Sequence, residues 1–327
     1  MSKKELKKIR WGIIGCGDVT EVKSGPGFQK AKGSELVAVM RRTSNLAKSY
    51  AQRHQVPKWY DDADLLIADP EVDAVYIATP PSTHMKYTFA VARAGKPVYV
   101  EKPMALNYWQ CLKMIKACEE AKIPLFTAYY RRALPKFLKI KSIIEKGKIG
   151  HIRNVNIRFY QSPSKDDLQG VKHWRVNPQI AGCGYFCDLG SHMIDLLQFF
   201  FGPIESAKGF SSNQSKLYEA EDIVTATYLF DNGIHGTGSW IFNTNRSLDQ
   251  TEIVGSNGQI IYSTFTDEPI LLNINGNVKK YDIKYPQHVQ QPLIQKIVDE
   301  LLGFGKSPST GISGSLTNKV MDEILNS

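Results

Sequence analysis

No apolar run in this 327-residue chain reaches the roughly 18 uncharged residues that a membrane helix needs. The first apolar cluster, Trp11–Ile14, is too short to be the core of a secretory leader. Cysteine is scarce: Cys16, Cys111, Cys118, Cys183 and Cys187 are odd in number and include no CxxC pair, so free thiols in a reducing cytoplasm are expected. There is no internal repeat and no low-complexity tract. With 42% hydrophobic and 22% charged residues, disordered and collagen-like classes are excluded. Acids are outnumbered 32 to 41, for a net charge of +9, which hints at nucleic acid. The opening decapeptide MSKKELKKIR, however, holds five of the basic residues against one glutamate, and a basic terminus is ordinarily a solvated tail. No nucleic-acid partner and no membrane partner are expected.

What is present is alternation. Ile13–Gly15, Leu36–Met40, Ala74–Ala78, Val98–Val100 and Leu125–Thr127 read as short buried strands. Helix candidates lie between them over Ser44–His54, Ser82–Ala94 and Asn107–Ala121, with Ser82 and Asn107 as N-caps. Continuous apolar strands alternating with helices imply a parallel sheet covered on both faces. Beyond about residue 150 the pattern changes to strands separated by turn pairs such as Asn257-Gly258, interrupted by one helix at about Gly184–Phe201 and closed by two more, Pro292–Gly303 and Ser313–Asn326. The expected fold is an α/β Rossmann domain with a parallel sheet (residues 1–128), followed by an α+β domain with a large open, mainly antiparallel sheet (residues 129–327).

Gly15-Cys16-Gly17-Asp18-Val19-Thr20 closes the first strand. There Gly15 permits the tight turn, Gly17 lets backbone approach a pyrophosphate, and the helix beginning at Asp18 and Val19 offers amide donors. Thr20 stands where glycine or alanine is usual. The second strand ends in Met40-Arg41-Arg42-Thr43 with no carboxylate to bind a ribose 2′-hydroxyl. Two guanidiniums instead suit a 2′-phosphate, so NADP(H) is expected over NAD(H). Thr79-Pro80-Pro81-Ser82-Thr83-His84 and Glu101-Lys102-Pro103 follow later strands and border the same crevice. Asp188 and His192 lie four apart on the helix expected at 184–201, hence on one face. Singly, a lysine after a strand is ordinarily solvated, and an i,i+4 Asp–His pair ordinarily stabilises its helix. Asp195 would extend that pair towards a metal set, but no second histidine lies nearby and none is expected to bind metal.

Together and in this order, Gly15-Cys16-Gly17, Thr79-Pro80-Pro81…His84, Glu101-Lys102-Pro103, Asp188-x-x-x-His192 and Pro308-Ser309-Thr310-Gly311 resemble the glucose–fructose oxidoreductase/inositol dehydrogenase (Gfo/Idh/MocA) family. The resemblance spans essentially the whole chain. It implies an NAD(P)-dependent oxidoreductase that moves hydride to or from a secondary alcohol carbon of a sugar or cyclic polyol. Lys102 would be the catalytic lysine, and Asp188 and His192 would bind substrate and transfer the proton. Thr79, Pro80, His84, Glu101 and Lys102 would join Gly15, Gly17, Asp18, Val19, Arg41 and Arg42 around the cofactor. Tyr129 and Arg131 match a segment that enters the second domain beside the active site, and Trp174 and Arg175 suit a sugar's C–H face and hydroxyl rim. Each of these four is also readable as linker or loop packing. The family's glycine-rich lead into the substrate helix reads here Gly182-Cys183-Gly184. A homodimer or homotetramer is expected, because a one-sided sheet leaves a face to cover. Two other readings use the same residues: a glycosidase working by transient sugar oxidation with tightly held NAD, and a ligand-sensing regulator without catalysis.

Overall fold

A computed structural model describes residues 8–326; most of the basic opening stretch, through Lys7, lies outside them. In chain order the elements are β1 (Ile9–Ile14), α1 (Asp18–Val22), α2 (Gly25–Lys30), β2 (Ser34–Met40), α3 (Ser44–Arg53), β3 (Lys58–Tyr60), α4 (Ala63–Ala68), β4 (Ala74–Ile77), α5 (His84–Arg93), β5 (Val98–Val100), α6 (Tyr108–Glu120) and β6 (Leu125–Thr127). There follow α7 (Pro135–Glu145), β7 (Ile152–Tyr160), α8 (Lys165–Leu168), α9 (Pro178–Ala181), α10 (Ser191–Phe201), β8 (Ile204–Ser212), β9 (Ile223–Phe230), β10 (His235–Ile241), β11 (Leu248–Gly255), β12 (Gly258–Tyr262), β13 (Ile270–Ile274), β14 (Asn277–Tyr281), α11 (Gln291–Leu301) and α12 (Gly311–Leu325). Among the described residues no helix is long and apolar enough to cross a membrane.

The chain divides into two compact units. The first takes the chain up to Ala105, then Trp109–Leu134 and Pro286–Ser315; the second takes Leu106–Tyr108, Pro135–Tyr285 and the chain from Leu316 onward. A single crossing at 128/129 was expected; the segment Pro286–Ser315 instead returns to the first unit. The reason is packing. Leu293, Ile294, Ile297 and Val298 of α11 are fully buried and seat against α2. There a Cβ on Gly27 would lie 2.9 Å from Ile294 and 3.3 Å from the Gln291 Cα.

In the first unit six strands pair in the order β3-β2-β1-β4-β5-β6, all parallel. The order reverses between β1 and β4, and ligands of such sheets bind beyond the carboxyl ends of the strands at that reversal. β4 and β5 are buried along their whole length, as parallel strands covered on two faces must be. Trp11, Phe28, Tyr76 and Tyr99 form an aromatic cluster, with successive ring centroids 4.9, 5.2 and 4.8 Å apart. In the second unit eight strands run β14-β13-β12-β11-β7-β10-β9-β8, antiparallel except for β10 on β7. β3 escaped the sequence reading because Lys58-Trp59-Tyr60 has no apolar run.

One surface cluster sets an acid limb of stability. Glu21 accepts from both terminal nitrogens of Arg53 at 2.7 Å and meets His54 Nε2 at 2.7 Å. The Arg53 hydrogen bonds, with His54 adding and burial opposing, hold the Glu21 carboxyl down to about 2 from an ordinary value of 4.5. Its stabilisation is therefore present above pH 4.5 and lost as pH falls towards 2. Glu21→Gln should flatten the fall of Tm across that window, measured by thermal unfolding at stepped pH.

Candidate active site

The turn after β1 is built by its glycines. Gly15 has φ +91°, and a Cβ there would lie 2.7 Å from Thr79 Cγ2 and 3.0 Å from the Thr79 amide. Gly17 is extended (φ −147°), and a Cβ on it would find nothing nearer than the Gly15 carbonyl at 3.9 Å. The protein itself thus demands a glycine at 15 but leaves open space at 17, as a cradle for a closely approaching ligand would. Thr20 is fully buried and closes the turn: its Oγ1 accepts from the Gly17 amide at 3.0 Å and donates to the Gly17 carbonyl at 2.7 Å. Asp18 and Val19 open α1, where first-turn amides have no intrahelical acceptor. Arg41 and Arg42 are exposed just past β2, and Arg41 Nη1 reaches the Cys16 carbonyl at 3.5 Å. The donor set fits a dinucleotide.

Beyond β4, Thr79 accepts a hydrogen bond from Thr83 at 2.8 Å, and Pro80 leads into a short 3₁₀ turn over Pro81–Thr83. His84 is fully buried. Its Nε2 faces the Thr79 carbonyl at 2.7 Å, and its Nδ1 faces those of Pro103 and Met104 at 3.1 and 3.2 Å. Burial lowers its pKa, with the carbonyl contacts opposing. His84 therefore supports two loops from within and presents no surface. Beyond β5, Glu101 is 7% exposed. Its carboxylate accepts from Tyr76 OH, from Gln290 Nε2 at 2.7 Å and from the Lys102 amide at 3.1 Å. Lys102 is half-buried and is followed by a cis bond to Pro103. Tyr129 and Arg131 are buried as well, at 0% and 5% exposure, beside and within a 3₁₀ turn over Tyr130–Ala133. The Pro308–Gly311 run lies against β6, where Ser309 Oγ donates to the Thr127 carbonyl at 2.7 Å.

In the second unit the expected helix over 184–201 is present and unbroken, but widens into a π-type turn over Phe186–Gly190 before α10. The Phe186 ring lies at the widening. It folds over Gly190, where a Cβ would lie 2.7 Å from it, and packs edge-on against Trp240 at 4.9 Å. Asp188 stands on the wide turn and His192 on the first turn of α10. His192 is 3% exposed and meets the Phe265 ring edge-on at 6.0 Å. Arg175 joins two other sequence candidates, Asp188 and Trp174: its Nε lies 3.6 Å from Asp188 Oδ2, and its guanidinium sits 4.6 Å above the Trp174 ring. Asp195 is buried, with Thr317 Oγ1 donating to it at 3.5 Å.

Two features were not expected. Cys183 and Cys187 form a disulfide, which corrects the expectation of free thiols throughout. The glycines at 182 and 184, both at positive φ, bend the chain so that residues four apart come to a Cα separation of 5.0 Å. Cys16 and Cys118 are buried thiols pushed up to about 11 and 12 by desolvation. The second feature is a polar latch. Tyr185 OH donates to Asp167 at 3.0 Å and faces His173 Nε2 at 3.0 Å, and burial with the Asp167 charge pushes its phenol up to about 12. No sequence motif marks it.

Known proteins share this chain's pattern. Residues 9–129 match a family described as "Oxidoreductase family, NAD-binding Rossmann fold", and residues 137–261 match the "GFO/IDH/MocA C-terminal domain". Oxidoreductase P35 of Formosa agariphila is 38% identical over 96% of this chain and 98% of its own. The 1,5-anhydro-D-fructose reductase of Ensifer adhaerens is 28% identical, with 93% and 92% covered. A solved levoglucosan dehydrogenase, in complex with NADH and levoglucosan, shares the fold with a TM-score of 0.86 at 21% identity, covering 97% of this chain and 96% of that one.

Proposed function

The chain belongs to the GFO/IDH/MocA family of NAD(P)-binding oxidoreductases, and on that premise we propose that it reduces or oxidises a sugar or cyclic polyol at a secondary carbon, using NADP(H). The observation that carries this reading is one arrangement within the parallel sheet: the glycine turn ends β1 and Lys102 follows β5, both at carboxyl ends. The 1,5-anhydro-D-fructose reductase and the levoglucosan dehydrogenase among its relatives support a carbohydrate substrate.

When bound, the nicotinamide gives or takes the hydride. Gly15, Gly17 and the first-turn amides of Asp18 and Val19 would hold its pyrophosphate, and Arg41 and Arg42 the adenosine 2′-phosphate. The Lys102 ammonium hydrogen-bonds the reacting oxygen and stabilises negative charge as it develops there. His192 exchanges the proton, and Asp188 with Arg175 orients neighbouring hydroxyls over the Trp174 ring. The test is a panel of sugars and polyols read at the nicotinamide absorbance band with NADP and NAD in parallel. Preference for NAD would remove the 2′-phosphate assignment and leave the rest standing. Each hydrogen bond to a charged group is worth about 1.5–3 kcal/mol. Replacing both Arg41 and Arg42 with alanine should therefore lower the NADP-over-NAD ratio of kcat/KM by roughly 10²- to 10⁴-fold.

The enzyme is an oligomer in this proposal, paired through the open sheet. Along β9 and β10, and over Ala207–Phe210 of β8, burial alternates residue by residue, and Phe210 stands 84% exposed. Phe210→Asp should shift the molar mass measured by light scattering towards the monomer without changing Tm.

A further inference from the structure

The first unit contains a buried residue that nothing in the sequence patterns singles out. Gln290, immediately before α11, is 1% exposed and joins the active strands from the far end of the chain. Its Nε2 donates to Glu101 Oε1 at 2.7 Å, and its Oε1 accepts from Tyr99 OH at 3.2 Å. Tyr76 OH donates to the same Glu101 oxygen, and the other oxygen accepts from the Lys102 amide at 3.1 Å. We propose that Gln290 is a positioning residue for hydride transfer: it fixes the Glu101 carboxylate, which fixes the main chain from which Lys102 projects. The inference rests on the catalytic role given to Lys102.

The chemistry selects glutamine. A carboxylate taken out of water needs donors on both oxygens, and a side-chain amide is the group that donates to Glu101 while accepting from Tyr99. Both phenols stay protonated, since burial, with the Glu101 charge next, pushes Tyr76 and Tyr99 well above 10. Their rings stack at 4.8 Å with planes 26° apart, so the donors arrive pre-oriented from β4 and β5. Of the three donors to Glu101, one is the amide of Lys102 itself. A change in how the carboxylate sits is thus a change in where the Lys102 segment begins, and misplacing a reacting group by about 1 Å can cost on the order of 10²-fold in rate.

The test compares Gln290→Leu, Gln290→Glu and the transposed pair Gln290→Glu with Glu101→Gln, beside Lys102→Ala, in the full chain. Tm and cofactor affinity are measured first, then kcat and KM. Gln290→Leu removes the donor, and Gln290→Glu sets one carboxylate against another. Each should lower kcat by roughly 10- to 100-fold, with KM little changed. The transposed pair restores a donor facing an acceptor and keeps an oxygen for the Lys102 amide, so it should recover most of the loss. Should Gln290→Leu fail to fold, the step from Gln290→Glu to the transposed pair decides. Wild-type kcat in a folded single variant, or no recovery in the pair, overturns the inference alone. Turnover that survives Lys102→Ala overturns the functional reading, and this inference with it.

Discussion

Lys102→Ala should lower kcat by about 10²- to 10⁴-fold while cofactor affinity stays close to wild type. In the proposed mechanism the lysine contributes where charge develops, on the substrate oxygen, and the groups proposed to hold the pyrophosphate and the 2′-phosphate are elsewhere: backbone at Gly15–Val19 and side chains at Arg41 and Arg42. Its backbone is held by the Glu101 carboxylate on one side, and Pro103 and Met104 on the other face the His84 ring. Truncating the side chain therefore leaves the loop in place. Arginine does not replace it, because a planar, permanently charged fork can neither fit a point-charge site nor share a proton. The check is a pair of measurements on one preparation: cofactor titration by fluorescence quenching, and steady-state turnover. Turnover at the wild-type rate would remove Lys102 from the mechanism.

The glycine turn gives the second large effect, and it separates folding from binding. Gly15→Ala places a methyl 2.7 Å from Thr79 Cγ2 at a φ of +91°. The left-handed backbone costs about 1–2 kcal/mol and the overpacking about 1–3 kcal/mol more, so Tm falls and the cofactor site goes with it. Gly17→Ala meets no protein atom nearer than 3.9 Å, so Tm should hold. Its methyl would occupy the space proposed for a pyrophosphate, and a clash of about 1–3 kcal/mol should weaken cofactor binding by roughly 5- to 150-fold. Calorimetry of the two variants with and without cofactor reads both effects. Equal loss of Tm in the two would show that position 17 serves the fold.

The sheet that carries the turn was legible because its strands are continuous apolar runs bounded by turn residues, a local signal. β3, with three polar-to-aromatic residues on an edge, carries none. The elements of the second unit were legible from hairpin turns, but the wide turn at Phe186–Gly190 was not, since the apolar spacing of a helix does not mark a π-type turn within it. Lys102, Asp188 and His192 stood out as ordered motifs. Glu101 and His84 stood out equally and turn out to be buried supports, since spacing alone cannot separate a group that faces a ligand from one that holds the loop beneath it. Gln290 has partners up to 214 residues away, and the Asp167–Tyr185–His173 latch joins residues 12 and 18 apart across irregular chain, beyond any helix or strand period. The disulfide at Cys183 and Cys187 hid behind an odd cysteine count, which suggested that none would pair.

The return of Pro286–Ser315 to the first unit has a consequence for how the protein is made. Leu134 leaves the ribosome long before Ser315, and at about 5–20 residues per second the interval is roughly 10–40 s. During it the nascent first unit has its glycine turn and its lysine, but lacks the apolar stripe of Leu293, Ile294, Ile297 and Val298 that covers α2, and lacks Gln290. The unit translated first thus waits for a segment made near the end of the chain, with an uncovered half-core of the kind that holdase chaperones bind. A shortened gene encoding the nucleotide sheet alone would make that waiting state permanent.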